Sequence, residues 1–334
     1  MKRIILNLSA IISIALPFFL LTDCMKKEDP FPFETGTFPD TVFNLKNLNS
    51  EYDDYNLDLN SSLYANLPLI FSSNRGSEGG QFDLVQGVLS YAFDRSNGNF
   101  WIGAEIVTDP FLTKLLAKAN TARNDFGPHR LYNADEGYEY LILSSEDEEG
   151  KLDFYYTRNL PVFGSATPDV DGPFPLTLLN SSFNDAYISF NTGQDTAYFS
   201  SDASGNFDIY FHKRPAGTRL NEWFNLGFES SEEVDNLNSS YDDKCPIVLG
   251  NVMVFTSNRP EGSGGYDLYY SVLTNGTWST PVNFGDKINS SSDEYRPVLG
   301  GHADFTNYYM MFSSNRPGGE GGFDLYFTGI PIPE

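Results

Sequence analysis

One motif returns five times along this chain, and that repetition limits the possible folds more than any other feature. Its fullest copy is Phe312-Ser313-Ser314-Asn315-Arg316-Pro317-Gly318-Gly319, followed by Gly321-Gly322-Phe323-Asp324-Leu325-Tyr326. Two close copies read Phe71-Ser72-Ser73-Asn74-Arg75 with Gly79-Gly80-Gln81-Phe82-Asp83-Leu84, and Phe255-Thr256-Ser257-Asn258-Arg259-Pro260 with Gly264-Gly265-Tyr266-Asp267-Leu268-Tyr269. Two reduced copies are Leu143-Ser144-Ser145 with Leu152-Asp153-Phe154-Tyr155, and Phe199-Ser200-Ser201 with Phe207-Asp208-Ile209-Tyr210. The anchors at 71, 143, 199, 255 and 312 are 56 or 57 residues apart, except for a first interval of 72. That surplus is too short for another unit. Residues 109–122 carry Phe111, Leu112, Leu115, Leu116 and Ala119 at helical spacing, so the surplus reads as a helical insertion.

A second element precedes the anchors. It reads Leu48-Asn49-Ser50 then Asp53-Asp54, Leu179-Asn180-Ser181 then Asn184-Asp185, Leu237-Asn238-Ser239 then Asp242-Asp243, and Ile288-Asn289-Ser290 then Asp293-Glu294. In unit two only Asn124-Asp125 is visible. The chain is rich in Phe (28) and Tyr (20), residues that suit pleated, half-buried surfaces, and Gly, Pro, Asn and Ser punctuate the short apolar runs. Each unit therefore reads as four short strands. One such sheet cannot bury both faces alone, but a ring of sheets can. The expected fold is all-β, a five-bladed β-propeller over residues 41–330. Unit five stops after its third strand. The N-terminal run Val42-Phe43-Asn44-Leu45 resembles Val282-Asn283-Phe284-Gly285, an outer fourth strand. The beginning of the chain should thus complete the blade left open at its end and remove a free sheet edge.

The repeated Phe-Ser-Ser-Asn-Arg-Pro-Gly-Gly pattern with its Gly-Gly-Phe-Asp-Leu-Tyr partner resembles the WD40-like repeats of TolB-type β-propellers. That resemblance implies a protein-binding platform of the bacterial envelope. Five units depart from the six of TolB itself.

The N-terminus reads as an address. Met1-Lys2-Arg3 is basic, Ile4 to Leu21 is mostly apolar, and small polar residues with a cysteine follow, the layout of a secretory signal peptide over residues 1–23. Leu21-Thr22-Asp23-Cys24 resembles a bacterial lipobox, which implies acylation of Cys24. The Lys26-Lys27-Glu28-Asp29 run resembles the export signal of Bacteroidetes surface lipoproteins. Residues 24–40 are then a lipidated tether, the membrane is reached through the lipid, and the location is the outer membrane, on its periplasmic face or at the cell surface. Cys245 is the other cysteine of the two; it lies in an apolar segment and reads as a small buried hydrophobe. A net charge of −24 excludes nucleic acid as a partner.

Arg75, Arg259 and Arg316 accompany the long glycine-rich loop, whereas Asp147 and Ala203 stand at their places in units two and three. Loop length and arginine vary together, so the arginines read as braces, set against Asp83, Asp267 and Asp324. Asp153 and Asp208 are the matching repeat aspartates. The acidic pairs before each first strand read as turn caps, because a residue present in every unit serves a job common to every unit. Residues that do not repeat are the better candidates for a site. His129, Arg130, Tyr187, Lys244, Tyr295 and Arg296 all fall on the expected channel-lining strands. His129, His212 and His302 lack metal-ligand spacing, so neither metal nor other cofactor is expected. Two functional readings follow. The first is a non-catalytic binding or scaffold lipoprotein whose propeller face holds an envelope protein or glycan. The alternative is a carbohydrate-binding or glycoside-hydrolase-like protein with its site at the channel mouth. It draws on the resemblance to five-bladed glycosidases that use paired carboxylates.

Overall fold

The computed structural model describes residues 31–59, 66–160 and 167–331. The expected signal peptide and Cys24 lie outside the described residues. Five antiparallel sheets form the body. Blade 1 holds Asp54–Leu59, Asn66–Ser73, Asp83–Asp94 and Asn99–Ile106; blade 2 holds Asp125–Asn133, Tyr138–Glu146, Leu152–Asn159 and Val170–Pro175. Blade 3 holds Asp185–Phe190, Thr196–Ser201, Asp208–Lys213 and Glu232–Glu233. In blade 4, Asp243–Leu249, Val252–Ser257 and Asp267–Thr274 are followed by an outer strand in two pieces, Thr277–Trp278 and Val282–Asn283. Blade 5 holds Glu294–Gly300, Tyr308–Ser314 and Asp324–Ile330, and takes Phe43–Asn44 as its outer strand. Phe43 pairs with Phe327 and Asn44 with Tyr326, so the N-terminal segment closes the last blade. The five first strands touch their neighbours in cyclic order around a central channel. The expected five-bladed propeller is the observed fold.

The repeated residues join one blade to the next. Asn49, Asn120, Asn180, Asn238 and Asn289 each accept from one backbone N–H of the preceding blade, at 2.8 Å, and return their amide to the carbonyl of the same residue. Such a two-way amide clamp satisfies a backbone donor and acceptor that a sheet edge would otherwise leave unpaired. The first member of each acidic pair does a similar job. Asp53, Asn124, Asn184, Asp242 and Asp293 accept the N–H of Phe323, Phe82, Leu152, Phe207 and Tyr266. Gly321 and Gly264 lie where the blades approach most closely; a Cβ there would collide with the carbonyl oxygens of Tyr52 and Ser292.

The insertion after blade 1 is helix α1, Pro110–Ala119, capped by Asp109 through the N–H groups of Phe111 and Leu112. Its Leu112, Leu115 and Leu116 pack on Ile70, Leu84, Leu141 and Leu143, which fills the wedge between blades 1 and 2. A second short helix, α2, Leu220–Phe224, precedes the outer strand of blade 3 and had no counterpart in the repeat reading.

The boundary expected at residue 40 is crossed by the propeller, which takes in residues 36–40. Gly36 donates to Asp304 and its carbonyl accepts from Thr306, Phe38 and Asn307 exchange two hydrogen bonds, and Pro39 accepts from Gly329. Phe38 is fully buried and stacks on Phe305 at 3.8 Å. Burial of that ring, on the order of 2–3 kcal/mol, makes residues 36–40 part of the propeller.

Candidate functional site at the two ends of the channel

Every inner strand carries a bulge at its third residue. The register slips there in all five blades. Asn56, Gly127, Tyr187, Cys245 and Arg296 take positive φ values of 56°, 54°, 62°, 59° and 47°. Four of them are not glycine, and a left-handed residue with a Cβ costs about 1 kcal/mol or more. The first serine of the repeat offsets part of that cost: the N–H of Asn56, Tyr187 and Cys245 donates to Ser313, Ser144 and Ser200 of the preceding blade. The bulge re-aims the side chains that follow it along the channel wall.

The six non-repeating candidates all reach the channel, but not one site. At the end where the acidic turns lie, aromatic rings close the bore. Tyr55 packs against Phe82, Phe126, Phe323 and Tyr295, and the Tyr295 hydroxyl donates to that of Tyr187 at 3.3 Å. Burial raises both Tyr187 and Tyr295 above the ordinary phenol range, so both remain neutral donors. Lys244 lies over the rings of Phe207, Tyr266 and Tyr295 at 4.9, 4.5 and 5.4 Å, with Asp242 at 3.4 Å. Its charge is already shared among three faces and a carboxylate. Arg296 is fully buried at the waist, with its guanidinium over the Tyr187 ring and Nη2 donating to Pro128 O.

His129 and Arg130 stand at the opposite end, in a pocket of about 360 Å³ lined by all five inner strands. His129 Nδ1 lies 3.0 Å from Asp58 Oδ1, and Asp58 Oδ2 accepts the Arg130 N–H at 2.9 Å. Because the carboxylate accepts, Nδ1 carries a proton and Nε2 is the ring nitrogen left for other partners. The imidazole stacks on Phe190 with ring centres 5.8 Å apart. The Arg130 guanidinium turns away to pair with Glu139. At the fifth position of the inner strands the sequence reads Asp58, His129, Ser189, Ile247 and Val298. Blades 1 to 3 give the pocket its polar groups, Asp58, His129, Asn191 and Gln194, beside Leu59, Leu131 and Phe190, whereas blades 4 and 5 line it only with Ile247, Val248, Leu249, Val298 and Leu299. Asn191, Thr192, Gln194 and the half-exposed Tyr132 form the rim. Ser189 Oγ and Arg296 Nε and Nη1 are buried without a partner among the described residues. Groups of this kind are satisfied by ordered water or by a ligand.

Asp58 was not singled out from the sequence. It has no motif, and only the bulge, which shifts the strand by one residue, turns it toward His129 of the next blade. Asn120 was missed because its flanking leucine and serine are replaced by alanine and threonine.

The repeat arginines do not meet Asp83, Asp267 or Asp324. Arg75, Arg259 and Arg316 pair instead with Asp54, Asp243 and Glu294, the second members of the acidic pairs, at 2.6, 2.5 and 2.8 Å. Each also donates to a carbonyl, of Leu48, Leu237 or Ile288, and to the second serine of the motif. The third-strand aspartates cap the loops before them: Asp267 accepts Ser263 N–H, Asp324 accepts Glu320 N–H, Asp208 accepts from Ser204 and Asn206, Asp83 from Gln81, and Asp153 pairs with Lys151. The reason is reach. The arginine side chain points back across its own loop to the inner strand, not forward to the third.

No family model matches the chain, and no curated protein does. Solved structures of similar shape exist. A thermostable family-43 glycoside hydrolase matches with a TM-score of 0.54 and 12% identity, over 84% of this chain and 90% of its own. The exo-β-1,3-galactanase 1,3Gal43A from Clostridium thermocellum matches at 0.52 and 13%, over 88% and 63%. A GH43_1 enzyme from Xanthomonas citri matches at 0.51 and 9%, over 87% and 91%. At these identities the likeness is one of fold, and it is to glycoside-hydrolase propellers rather than to the TolB type. The expectation that this chain is not an enzyme is corrected by it: the architecture on which that expectation leaned is the architecture of glycosidases.

Proposed function

We propose that the protein is carbohydrate-active and takes a sugar unit in the Asp58–His129 pocket. The observation that carries this reading is the division of the pocket wall. A pyranose or furanose ring has a rim of hydroxyls and less polar faces. Asp58, His129, Asn191 and Gln194 on one side, and Ile247, Leu249, Val298 and Leu299 on the other, match that division. The volume suits one or two sugar residues. His129 Nε2, with its tautomer fixed by Asp58, is the group placed to take or return a proton at a sugar oxygen. The fold shared with glycoside hydrolases supports the substrate class. Export and acylation at Cys24 would place this activity on the outer membrane.

The test is titration with arabino-, xylo- and galacto-oligosaccharides, with sugar release followed in parallel. Wild-type protein should bind at least one series. His129→Gln and Asp58→Asn should weaken that binding at least about tenfold, a loss of about 1.4 kcal/mol. Absence of binding to every series, or equal binding by folded variants, overturns the reading.

A further inference from the structure

Three blades set an arginine against a buried carboxylate and a phenylalanine ring, blades 4 and 5 add a tyrosine ring, and blade 3 keeps this two-ring setting without the arginine. In blade 4 the Arg259 guanidinium lies over Phe255 and Tyr269 at 5.5 and 4.9 Å; in blade 5 Arg316 lies over Phe312 and Tyr326 at 5.1 and 5.0 Å. The two rings beneath are stacked, with centres 6.0 Å apart in blade 4 and 5.9 Å apart in blade 5. Blade 3 presents the same pair, Phe199 and Tyr210, 6.0 Å apart at 26°. It keeps the buried carboxylate as Asp185, the second serine as Ser201 and the carbonyl-bearing residue as Leu179, and all of them line one cavity of about 470 Å³. Ala203 stands where the arginine would start. Blade 2 also lacks the arginine, but there Leu143 replaces the phenylalanine of the ring pair.

We propose that this cavity is a binding site for a guanidinium group, supplied from outside the chain. Three features of the cavity point to a ligand. Asp185 is 1% exposed and has no counter-ion among the described residues, and a buried carboxylate without one is costly. Ser201 Oγ is buried beside Asp185 and no arginine reaches it, whereas its equivalents Ser73, Ser257 and Ser314 each meet one. Phe183 and Phe228, 46% and 55% exposed, line the cavity and give the aliphatic stem of an arginine a surface to lie on. Burial raises Asp185 above the ordinary carboxylate range, as the missing cation would require. The planar fork of a guanidinium fits a carboxylate, a hydroxyl and a ring face at once, and an ammonium does not. The acidic surface draws cations toward it. This site lies at the acidic-turn end, away from the sugar pocket, and stands or falls independently of it.

The whole chain is titrated calorimetrically with acetyl-Gly-Arg-Gly-amide, its lysine and citrulline counterparts, and free L-arginine, up to about 10 mM. The arginine peptide should saturate and bind at least about tenfold more tightly than the lysine and citrulline peptides. Peptide binding tighter than free arginine assigns the group to a protein partner; equal binding assigns it to a small guanidino compound. Ala203→Arg should fill the cavity from within, abolish binding and raise the melting temperature. Asp185→Asn should abolish binding by itself, which keeps the test decisive if the first variant does not fold. No saturation by the arginine peptide, or undiminished binding by a folded variant, overturns the proposal.

Discussion

Arg316→Ala tests the brace most directly. In the native protein Glu294 is fully buried and Arg316 is its only cationic partner among the described residues. Removal of one member of a buried pair costs about 3–5 kcal/mol. Here Ser290 still offers its N–H at 2.8 Å and its hydroxyl at 2.6 Å, and Ser314 its hydroxyl at 3.1 Å, so the lower end, about 3 kcal/mol, is expected. A domain of this size loses about 2 °C per kcal/mol, which gives a fall of about 6 °C in a calorimetric melt. The deficit should depend on pH. Burial already raises Glu294 above its ordinary value, so its favourable contribution is complete below the unfolded pKa and is lost as pH rises through the folded one. Without Arg316 that folded value rises further. The variant's deficit should therefore be largest near pH 8 and shrink toward pH 5. Glu294→Gln in the same background should recover part of the loss. A melt within about 1 °C of wild type at pH 8 would refute the bracing argument.

Asp125 is fully buried in a blade that has no brace, and burial raises it to about 6. Its stabilising share is whole below pH 3.8 and disappears as pH rises through about 6, so Asp125→Asn should gain on wild type by about 1–1.5 kcal/mol between pH 5 and 8; parallel melting curves across that range would show that no such shift exists. Cys245 is fully buried and its thiol is raised to about 11, so iodoacetamide should leave it unmodified in the native protein and label it in urea. Rapid native labelling, read by peptide mapping, would mean that the channel waist opens.

The architecture was legible because its determinants are local and repeated. A blade is joined to the next by an asparagine, an acid and a glycine at fixed distances along the chain, and each does the same job wherever it occurs. Helix α1 was legible for the same kind of reason, since its apolar spacing needs no knowledge of a neighbour. The arginine partners were not. Asp267 and Asp243 are equally plausible by charge, and the choice between them is made by a loop that folds back on the inner strand. Asp58 and His129 were harder still. They are 71 residues apart, on different blades, and meet only because two bulges turn two strands by one residue each.

Repetition also makes each blade a control for the others, and that is where function becomes readable. At one position of the inner strand, five blades offer Asp, His, Ser, Ile and Val. A position that served only packing would converge on one apolar residue, as the second-strand anchor does with four phenylalanines and a leucine. Divergence at a shared, buried position therefore reflects something asymmetric within the ring, and the pocket bounded by four of those residues is where an asymmetric ligand would sit. The same comparison applies to the arginine position. Blade 2 lacks both the guanidinium and the phenylalanine of the ring pair, whereas blade 3 lacks the guanidinium while retaining both rings, the carboxylate and the serine. Asp185 still caps its turn by accepting the Ser181 N–H, but no cation of the described residues reaches it, and a buried acid kept beside an open cavity is the physical ground for expecting a cation there.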